Sequence, residues 1–368
     1  MVMPGWLDPL LVPAARRLPS NAEYLAHLAL ASEDATLLRL ASNESTESPS
    51  PRVREALERA YLDANLSPPP VPPLRRELAA RHGVGVEQVL LGAGSTELID
   101  ATFRALVAPG DEVVLPAPSW PVYRRRLAAL DASVVEVPLV RGERAWVFDV
   151  DALLTAVTSR TKVLVLCTPN NPTGNSLPLE DVRRCAAAAP LLLLDAAYAD
   201  FDEETDVTPI LGESERVVLT RTFSKAYCLA GLRVGYCLGD AAALDQIDRF
   251  LVPGSSVSSA ALHAALAALG DEDHRRRQVE RVRAERDRVA RGLRELGLRA
   301  YDSRGNFVAL EVPDARAFAA SLLARRIVVR VHDERLVRIT VGRREENGAL
   351  LAAVADALTG PAVLRPRA

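Results

Sequence analysis

The chain has 368 residues, 49% of them hydrophobic and 25% charged, with a formal net charge of -3 and a pI near 6.1. That length supports a large core and two lobes, ordinary composition excludes a disordered or fibrous chain, and the charge balance offers no global basic field to nucleic acid. No apolar run approaches a bilayer span, and the opening MVMPGWLDPL lacks the charged start and apolar core of a secretion signal, so a cytoplasmic chain with neither nucleic-acid nor membrane partners is expected.

Residues 1–40 hold Pro-rich and polar stretches around a weak helical pattern and read as an arm. The run SPPPVPP (67–73) cannot be helix or central strand and reads as a stiff polyproline connector. From about residue 85, short apolar runs of strand length alternate with amphipathic ones. The strands are Val89–Leu91, Val113–Leu115, Val134–Val137, Val163–Cys167, Leu191–Leu194, Val217–Leu219 and Val234–Leu238, with helices at Ser95–Val107, Trp120–Leu130, Val150–Thr155 and Leu179–Ala188 between several of them. Continuously apolar strands alternating with helices imply an α/β fold, its mostly parallel sheet covered on both faces. After about residue 255 the texture changes. A long helix is expected over Asp271–Leu296, with Glu272 facing Arg276 and Asp273 facing Arg277 at i, i+4. Strands follow at Phe307–Val312, Ile327–Val331 and Leu336–Val341, with helices Ala315–Ala324 and Glu345–Leu358, an α+β lobe.

Lysine occurs only at Lys162 and Lys225 among 45 cationic side chains, so a side-chain amine nucleophile has two candidates. Lys162 opens a strand, where a solvated cation is ordinary. Lys225 sits in TRTFSKAYCLAGLRVGY (220–236), directly after a strand and among Phe223, Ala226 and Tyr227. Desolvation there lowers an amine's pKa and favours its neutral, nucleophilic form. Thr222, Ser224 and Arg233 place two hydroxyls and a guanidinium nearby, a cradle suited to phosphate. Three further clusters end strands. GAGSTE (92–97) opens a helix at Ser95 and Thr96, where anions are stabilised. CTPNNPTG (167–174) puts two asparagines at a strand's carboxyl edge, the place where ligands bind open α/β sheets. LLLLDAAY (191–198) ends an apolar strand in Asp195, a carboxylate that is costly to bury unless paired and that suits a protonated pyridine nitrogen. The four cysteines show no CxxC spacing and read as buried thiols, and the five histidines form no metal motif, so no metal site is expected.

These four clusters, in this order, resemble the fold type I pyridoxal-phosphate enzymes, specifically the class I/II aminotransferases of the histidinol-phosphate aminotransferase-like subfamily. LASNE (40–44), LRRELAARHGV (74–84), GNFVALEV (305–312) and VRITVG (337–342) extend the resemblance over roughly residues 38–358. It implies an N-terminal arm over 1–45 that contributes to the small domain, a large pyridoxal-phosphate-binding domain with a seven-stranded sheet over 46–252, and a small C-terminal α+β domain over 253–368. It implies that Lys225 forms the internal aldimine with pyridoxal 5'-phosphate and shuttles protons. Asp195 would pair with the ring nitrogen, Asn171 and Tyr198 would bond the ring oxygen, and Trp120 would stack on the ring. Ser95, Thr96, Thr222, Ser224 and Arg233 would bind the phosphate. Arg338 and Arg330 would grip the anionic end of the substrate, and Asn43 belongs to the N-terminal active-site segment. The implied reaction is ping-pong transamination between an amino acid or histidinol-phosphate-like amine and an oxo acid, in a homodimer.

The chain departs from that pattern at three places. Ser45–Ser48 replaces the NP-and-glycine continuation of the NENP segment. Leu66 stands where the family has a tyrosine that reaches the neighbouring subunit's phosphate. PGSSVS (253–258) has serines for an aromatic and an asparagine. The loop between Arg330 and Arg338 is also short. The cofactor segments are thus kept while substrate-facing segments have changed, which leaves a specialised biosynthetic role open. A decarboxylase, lyase or cyclase on the same scaffold is the alternative chemistry. A regulator without catalysis is disfavoured by Lys225, Asp195 and Arg233, and a nicotinamide enzyme by the missing third glycine after GAG.

Overall fold

The computed structural model describes residues 33–359 apart from 70, 71, 203, 254 and 255, together with Val12, Ala14, Ala15, Leu18 and Ala29. Most of the N-terminal arm, two residues of the polyproline run and two of PGSSVS therefore lie outside the described residues.

Among the described residues there are fourteen strands: β1 (Leu38–Leu40), β2 (Val89–Gly92), β3 (Glu112–Ala117), β4 (Ser133–Pro138), β5 (Val140–Arg141), β6 (Trp146–Val147), β7 (Thr161–Cys167), β8 (Leu192–Asp195), β9 (Val217–Thr222), β10 (Gly235–Gly239), β11 (Arg299–Ala300), β12 (Phe307–Glu311), β13 (Ile327–Val331) and β14 (Leu336–Thr340). Seven form one sheet in the order β2-β10-β9-β8-β7-β3-β4. Strand β10 runs antiparallel to both its neighbours, and the other pairs are parallel. The chain is thus α/β, with the mostly parallel seven-stranded sheet expected for fold type I.

Burial explains why these strands are apolar throughout. On β7, Val163 and Val165 belong to a cluster on one face with Ile99, Phe103 and Leu127. Leu164 and Leu166 belong to the cluster on the other face, with Leu192, Leu194 and Leu219. Successive side chains point to opposite faces, so a strand covered on both sides is apolar along most of its length. Buried polar residues gather where the strands end at their carboxyl edge, at Asp195, Thr220, Thr222 and the loop after Cys167, with Glu112 and Thr161 at the opposite ends of β3 and β7.

The helices start where local capping allows. Pro51–Ala60 begins with Pro at its first turn, and the Ser50 hydroxyl accepts from the Arg52 N–H. Pro73–His82 ends at Gly83, whose φ of 64° is the left-handed stop that glycine tolerates. Helix Ser259–Leu269 packs against both. These three, together with helix Ala241–Asp248 (capped by Asp240), strand β1 and the ribbon β5–β6, are elements the sequence pattern did not reveal.

The second sheet has the order β1-β13-β14-β12-β11. Strand β1 pairs in parallel with β13, so the segment leading into LASNE is tied to the C-terminal lobe. The long helix spans Glu272–Glu295, but its ion pairs differ from the expected i, i+4 set. Glu272 meets Arg275 and Arg81, and Arg276 meets Asp273 and, at 4.0 Å, Glu280. Glu272 is taken up by Arg275, one turn along its own helix, and by Arg81 of helix Pro73–His82. All four cysteines are free thiols; Cys228 is only half-buried, where burial was expected.

Candidate active site

A cavity of about 310 Å³ lies where β7, β8 and β9 end and the second sheet approaches. Its wall contains Ser95, Thr96, Trp120, Asn171, Asp195, Tyr198, Thr222, Ser224, Lys225, Arg233, Arg330 and Arg338. Twelve of the thirteen residues singled out from sequence thus converge on one space. Asn43 is the exception. It lies behind the wall, 1% exposed, between Ser42 and Glu44, which do line it. Its Nδ2 donates to the Tyr198 hydroxyl at 3.0 Å, and its N–H donates to Thr340 Oγ1 at 2.8 Å. Asn43 therefore reaches the site through Tyr198, not by facing the cavity.

Lys225 follows β9 by three residues, in a turn closed when the Ser224 N–H donates to Thr222 Oγ1. Its Nζ donates to the Ser42 carbonyl at 3.2 Å and lies 5.9 Å from the centre of the Tyr198 ring. Burial, reinforced by the positive charges of Arg338 and Arg233, lowers its pKa to about 7, against the pull of Glu44 and Asp195. A neutral amine is therefore abundant at physiological pH. Lys162, by contrast, lies half in solvent with Asp111 3.9 Å away.

Asp195 ends β8 and is buried. Its Oδ1 accepts from the Ala197 N–H at 3.1 Å and the Thr220 hydroxyl at 3.3 Å, and its Oδ2 from the Tyr123 hydroxyl at 2.5 Å. Burial raises its pKa, and these three neutral donors oppose the rise. At the other end, Thr222 Oγ1 donates to Ser224 Oγ at 3.0 Å and Arg233 Nη1 donates to the same oxygen at 3.4 Å. Ser95 and Thr96 begin the helix Ser95–Leu106, so their N–H groups have no carbonyl partner within it. Two glycines keep this end open. A Cβ on Gly94, at φ 80°, would come within 2.6 Å of Arg233 Nη2. A Cβ on Gly235 would come within 3.0 Å of the backbone of Ser95, Gly94 and Arg221.

The third part of the wall comes from the second sheet. Arg330 on β13 and Arg338 on β14 are register partners across the strands. Arg338 is buried, its Nη1 donating to Asn171 Oδ1 at 2.6 Å and its Nη2 to the Ala41 carbonyl at 2.5 Å. Asn171 in turn donates to the Tyr198 hydroxyl at 3.3 Å. His332 lies beside them in the wall, with its pKa held well below the usual value by burial and by both guanidiniums.

Sequence reasoning missed Tyr123, Thr220, Cys167, Glu44 and His332, all of which line the cavity or bond Asp195 directly. Period-2 spacing carried a signal for two of them, since Thr220 precedes Thr222 and His332 follows Arg330 by two residues. Tyr123 gave none, because only the sheet order brings its helix beside β8.

The donor set fits one cofactor. A buried carboxylate held by neutral donors suits a cationic ring nitrogen. A helix start with two hydroxyls and a guanidinium suits a phosphate, and between them stands an amine of lowered pKa. This is the site of a pyridoxal 5'-phosphate enzyme of fold type I. The chain belongs to the aminotransferase class I and II family, whose profile matches residues 35–354. It is 37% identical to histidinol-phosphate aminotransferase 2 of Caulobacter vibrioides, over 97% of this chain and 96% of that protein. It is 35% identical to the aromatic amino acid aminotransferase of Cutibacterium acnes, over 90% and 95%. The crystal structure of histidinol-phosphate aminotransferase from Sinorhizobium meliloti in complex with pyridoxal 5'-phosphate superimposes with a TM-score of 0.86, at 29% identity, over 95% of this chain and 97% of that one. The protein is an enzyme that transfers amino groups between amino acids and oxo acids, with pyridoxal 5'-phosphate as cofactor.

Proposed function

We propose that the amine substrate is an amino acid or a histidinol-phosphate-like amine whose anionic end, a carboxylate or a phosphate, is gripped by Arg338 and Arg330. The observation that carries this is the cross-strand pair itself. Like charges directly opposite each other on neighbouring strands are destabilising. The arrangement becomes favourable when an anion enters between them, where two guanidinium forks offer bidentate contacts.

The cofactor, when bound, supplies an electron-poor ring that stabilises negative charge at the substrate Cα. Asp195 would hold the ring nitrogen, Asn171 and Tyr198 the ring oxygen, and Trp120 a ring face. Ser95, Thr96, Thr222, Ser224 and Arg233 would hold the phosphate. Lys225 Nζ, about half of it neutral at pH 7, would take the proton from the substrate Cα. The hydrogen bond from Asn43 keeps the Tyr198 hydroxyl turned to the site. Arg338, held by Asn171 and Ala41, fixes the distance between the anion and the reacting carbon, which is how positioning lowers a barrier.

The residue divisions 1–45, 46–252 and 253–368 describe an arm, a cofactor-binding domain and a small domain. Two features support them: β1 pairs with the C-terminal sheet, and all seven strands of the large sheet fall within 46–252. Helix Ser259–Leu269 bridges the last boundary by packing on Pro51–Ala60. A homodimer is supported by the exposure of Tyr61, Leu62 and Leu66, large apolar side chains close along the chain to the place where the family's intersubunit tyrosine falls. A cytoplasmic setting is consistent with four free thiols and, among the described residues, with no helix long and apolar enough to cross a membrane.

The test is a set of single half-reactions. Purified holoenzyme is mixed with histidinol phosphate, aromatic amino acids, glutamate and an uncharged amine, and the oxo product is measured together with the cofactor's visible absorbance. Turnover of anionic amines with stoichiometric oxo product supports the reading. Equal turnover of the uncharged amine refutes the role of the arginine pair. Release of carbon dioxide or ammonia in place of an oxo product would shift the reaction to a decarboxylase, lyase or cyclase.

A further inference from the structure

The Asp195 carboxylate is bonded unequally. Each carboxylate oxygen has two acceptor sites. Oδ1 uses both, for the Ala197 N–H and the Thr220 hydroxyl, so the sheet itself locks that oxygen. Oδ2 has one donor, the Tyr123 hydroxyl at 2.5 Å, and one acceptor site remaining. A donor arriving from the cavity therefore completes Oδ2 and shares it with Tyr123. Tyr123 is fixed for this purpose. It is fully buried in the first turn of helix Pro121–Ala129, and its ring meets Trp120 edge-on with centroids 5.3 Å apart.

We propose that Tyr123 is a positioning residue that aims the Oδ2 atom of Asp195 at the cofactor's ring nitrogen and keeps the carboxylate ionised to receive it. The proposal rests on the reading of Asp195 as the ring-nitrogen partner. Electrostatics agree with the geometry. Burial is what raises the Asp195 pKa, and the Tyr123 hydroxyl is the foremost of the groups that bring it back down. Burial also raises the Tyr123 pKa well above 10, so its hydroxyl stays a donor at every working pH. The other groups facing this pair are the Cys167 thiol on β7, held neutral by burial, Thr220 on β9, and Tyr198 and Lys225 across the cavity. Of these, Lys225 alone titrates near neutrality.

The experiment uses pyridoxamine phosphate, which cannot condense with Lys225, so covalent capture does not mask the carboxylate. Its affinity for cofactor-free protein is measured from pH 5 to 8.5 for the wild type, Tyr123→Phe and Asp195→Asn; the ligand phosphate's own titration is common to all three. Tyr123→Phe keeps the ring against Trp120 and removes only the hydroxyl, and near-UV circular dichroism checks that packing. The expected result is an acid limb of binding that moves up by about one pH unit in Tyr123→Phe, with affinity near wild type at pH 8.5. Asp195→Asn should bind weakly at every pH. A Tyr123→Phe profile that overlays the wild type, or is lowered equally at all pH, while Asp195→Asn binds weakly, overturns the proposal and leaves the Asp195 reading intact. Tight binding by Asp195→Asn across the range overturns both. As a second signature, the ring-nitrogen chemical shift of nitrogen-15-labelled pyridoxamine phosphate bound at pH 6 should move toward the unprotonated form in Tyr123→Phe, and at least as far in Asp195→Asn.

Discussion

Lys225→Met removes the amine while keeping a flexible side chain of similar length, and it tests how the cavity treats a cation. The folded state lowers the Lys225 pKa from 10.5 to about 7. At about 1.4 kcal/mol for each tenfold change in proton affinity, this corresponds to roughly 5 kcal/mol of folding stability that the cofactor-free wild type gives up below pH 7. That is an upper figure, because Nζ faces a cavity that water enters. The sign follows from proton counting. Between pH 7 and 10.5 the unfolded chain binds the proton that the folded chain has released, so wild-type stability rises with pH across that window. The methionine variant lacks this dependence. Its advantage over the wild type should be near its full value at pH 6.5 and should shrink by about 2 kcal/mol by pH 8.5. Urea unfolding of both cofactor-free proteins at the two pH values measures this, with other titrating groups common to both. A methionine variant no more stable than the wild type at pH 6.5, or an advantage that grows with pH, would refute the idea that Lys225 is held neutral by desolvation. The same property predicts that cofactor uptake by wild-type protein accelerates with pH, with a midpoint near 7.

Three other outcomes follow from the geometry. Gly235→Ala drives a methyl group against the backbone of Ser95 and Gly94, so it should weaken pyridoxal-phosphate binding at least tenfold and cost about 1–3 kcal/mol, as cofactor titration and urea midpoints would show; unchanged affinity would remove Gly235 from the cradle. Asp200→Asn should destabilise the protein by about 3 kcal/mol, because Arg221 at 3.1 Å and Arg275 at 3.0 Å converge on that largely buried carboxylate, and a loss below 1 kcal/mol would show the network to be solvated. Arg338→Lys cannot reproduce the two-pronged hold on Asn171 and Ala41, so KM for an anionic amine should rise at least tenfold with a smaller change in kcat; an unaltered KM would place the substrate's anion elsewhere.

The buried network around Asp200 links the parts of the molecule to the site. Arg221 lies on β9, four residues before Lys225, and Arg275 lies on the long helix Glu272–Glu295. Both bond Asp200, which sits in the turn just after Tyr198. Arg81 reaches the same helix through Glu272 at 2.7 Å. The long helix is thereby anchored to the strand that carries the lysine and to the loop that carries the tyrosine.

Local chemistry alone determined much of this protein. Runs such as Val163–Cys167 and Leu191–Leu194 can only be strands buried on two faces, and the polar residues that end them mark the ligand edge of such a sheet. Lys225 stood out because the chain contains one other lysine, and Asp195 because an apolar strand seldom ends in a carboxylate without a partner. Glycines and hydroxyls at 92–97 and 220–225 identified the anion cradle for the same local reason. What the tertiary structure decided is which separate segments meet. Strand β1 is three residues long, too short for any period to show, and exists because β13 offers it a parallel edge. Tyr123 carries no chemical signal in its own helix and becomes part of the site only because that helix packs where β8 ends. Asn43 belongs to a recognisable segment, yet its backbone turns at φ 53° and sends its amide behind Tyr198, away from the cavity. Arg330 and Arg338 were legible as residues, but their direct opposition depends on the β13–β14 register, set by a turn between them. Periodicity and composition encode the type and ends of each element; the contacts that make a site join residues distant along the chain, and only the order and register of the strands specify those.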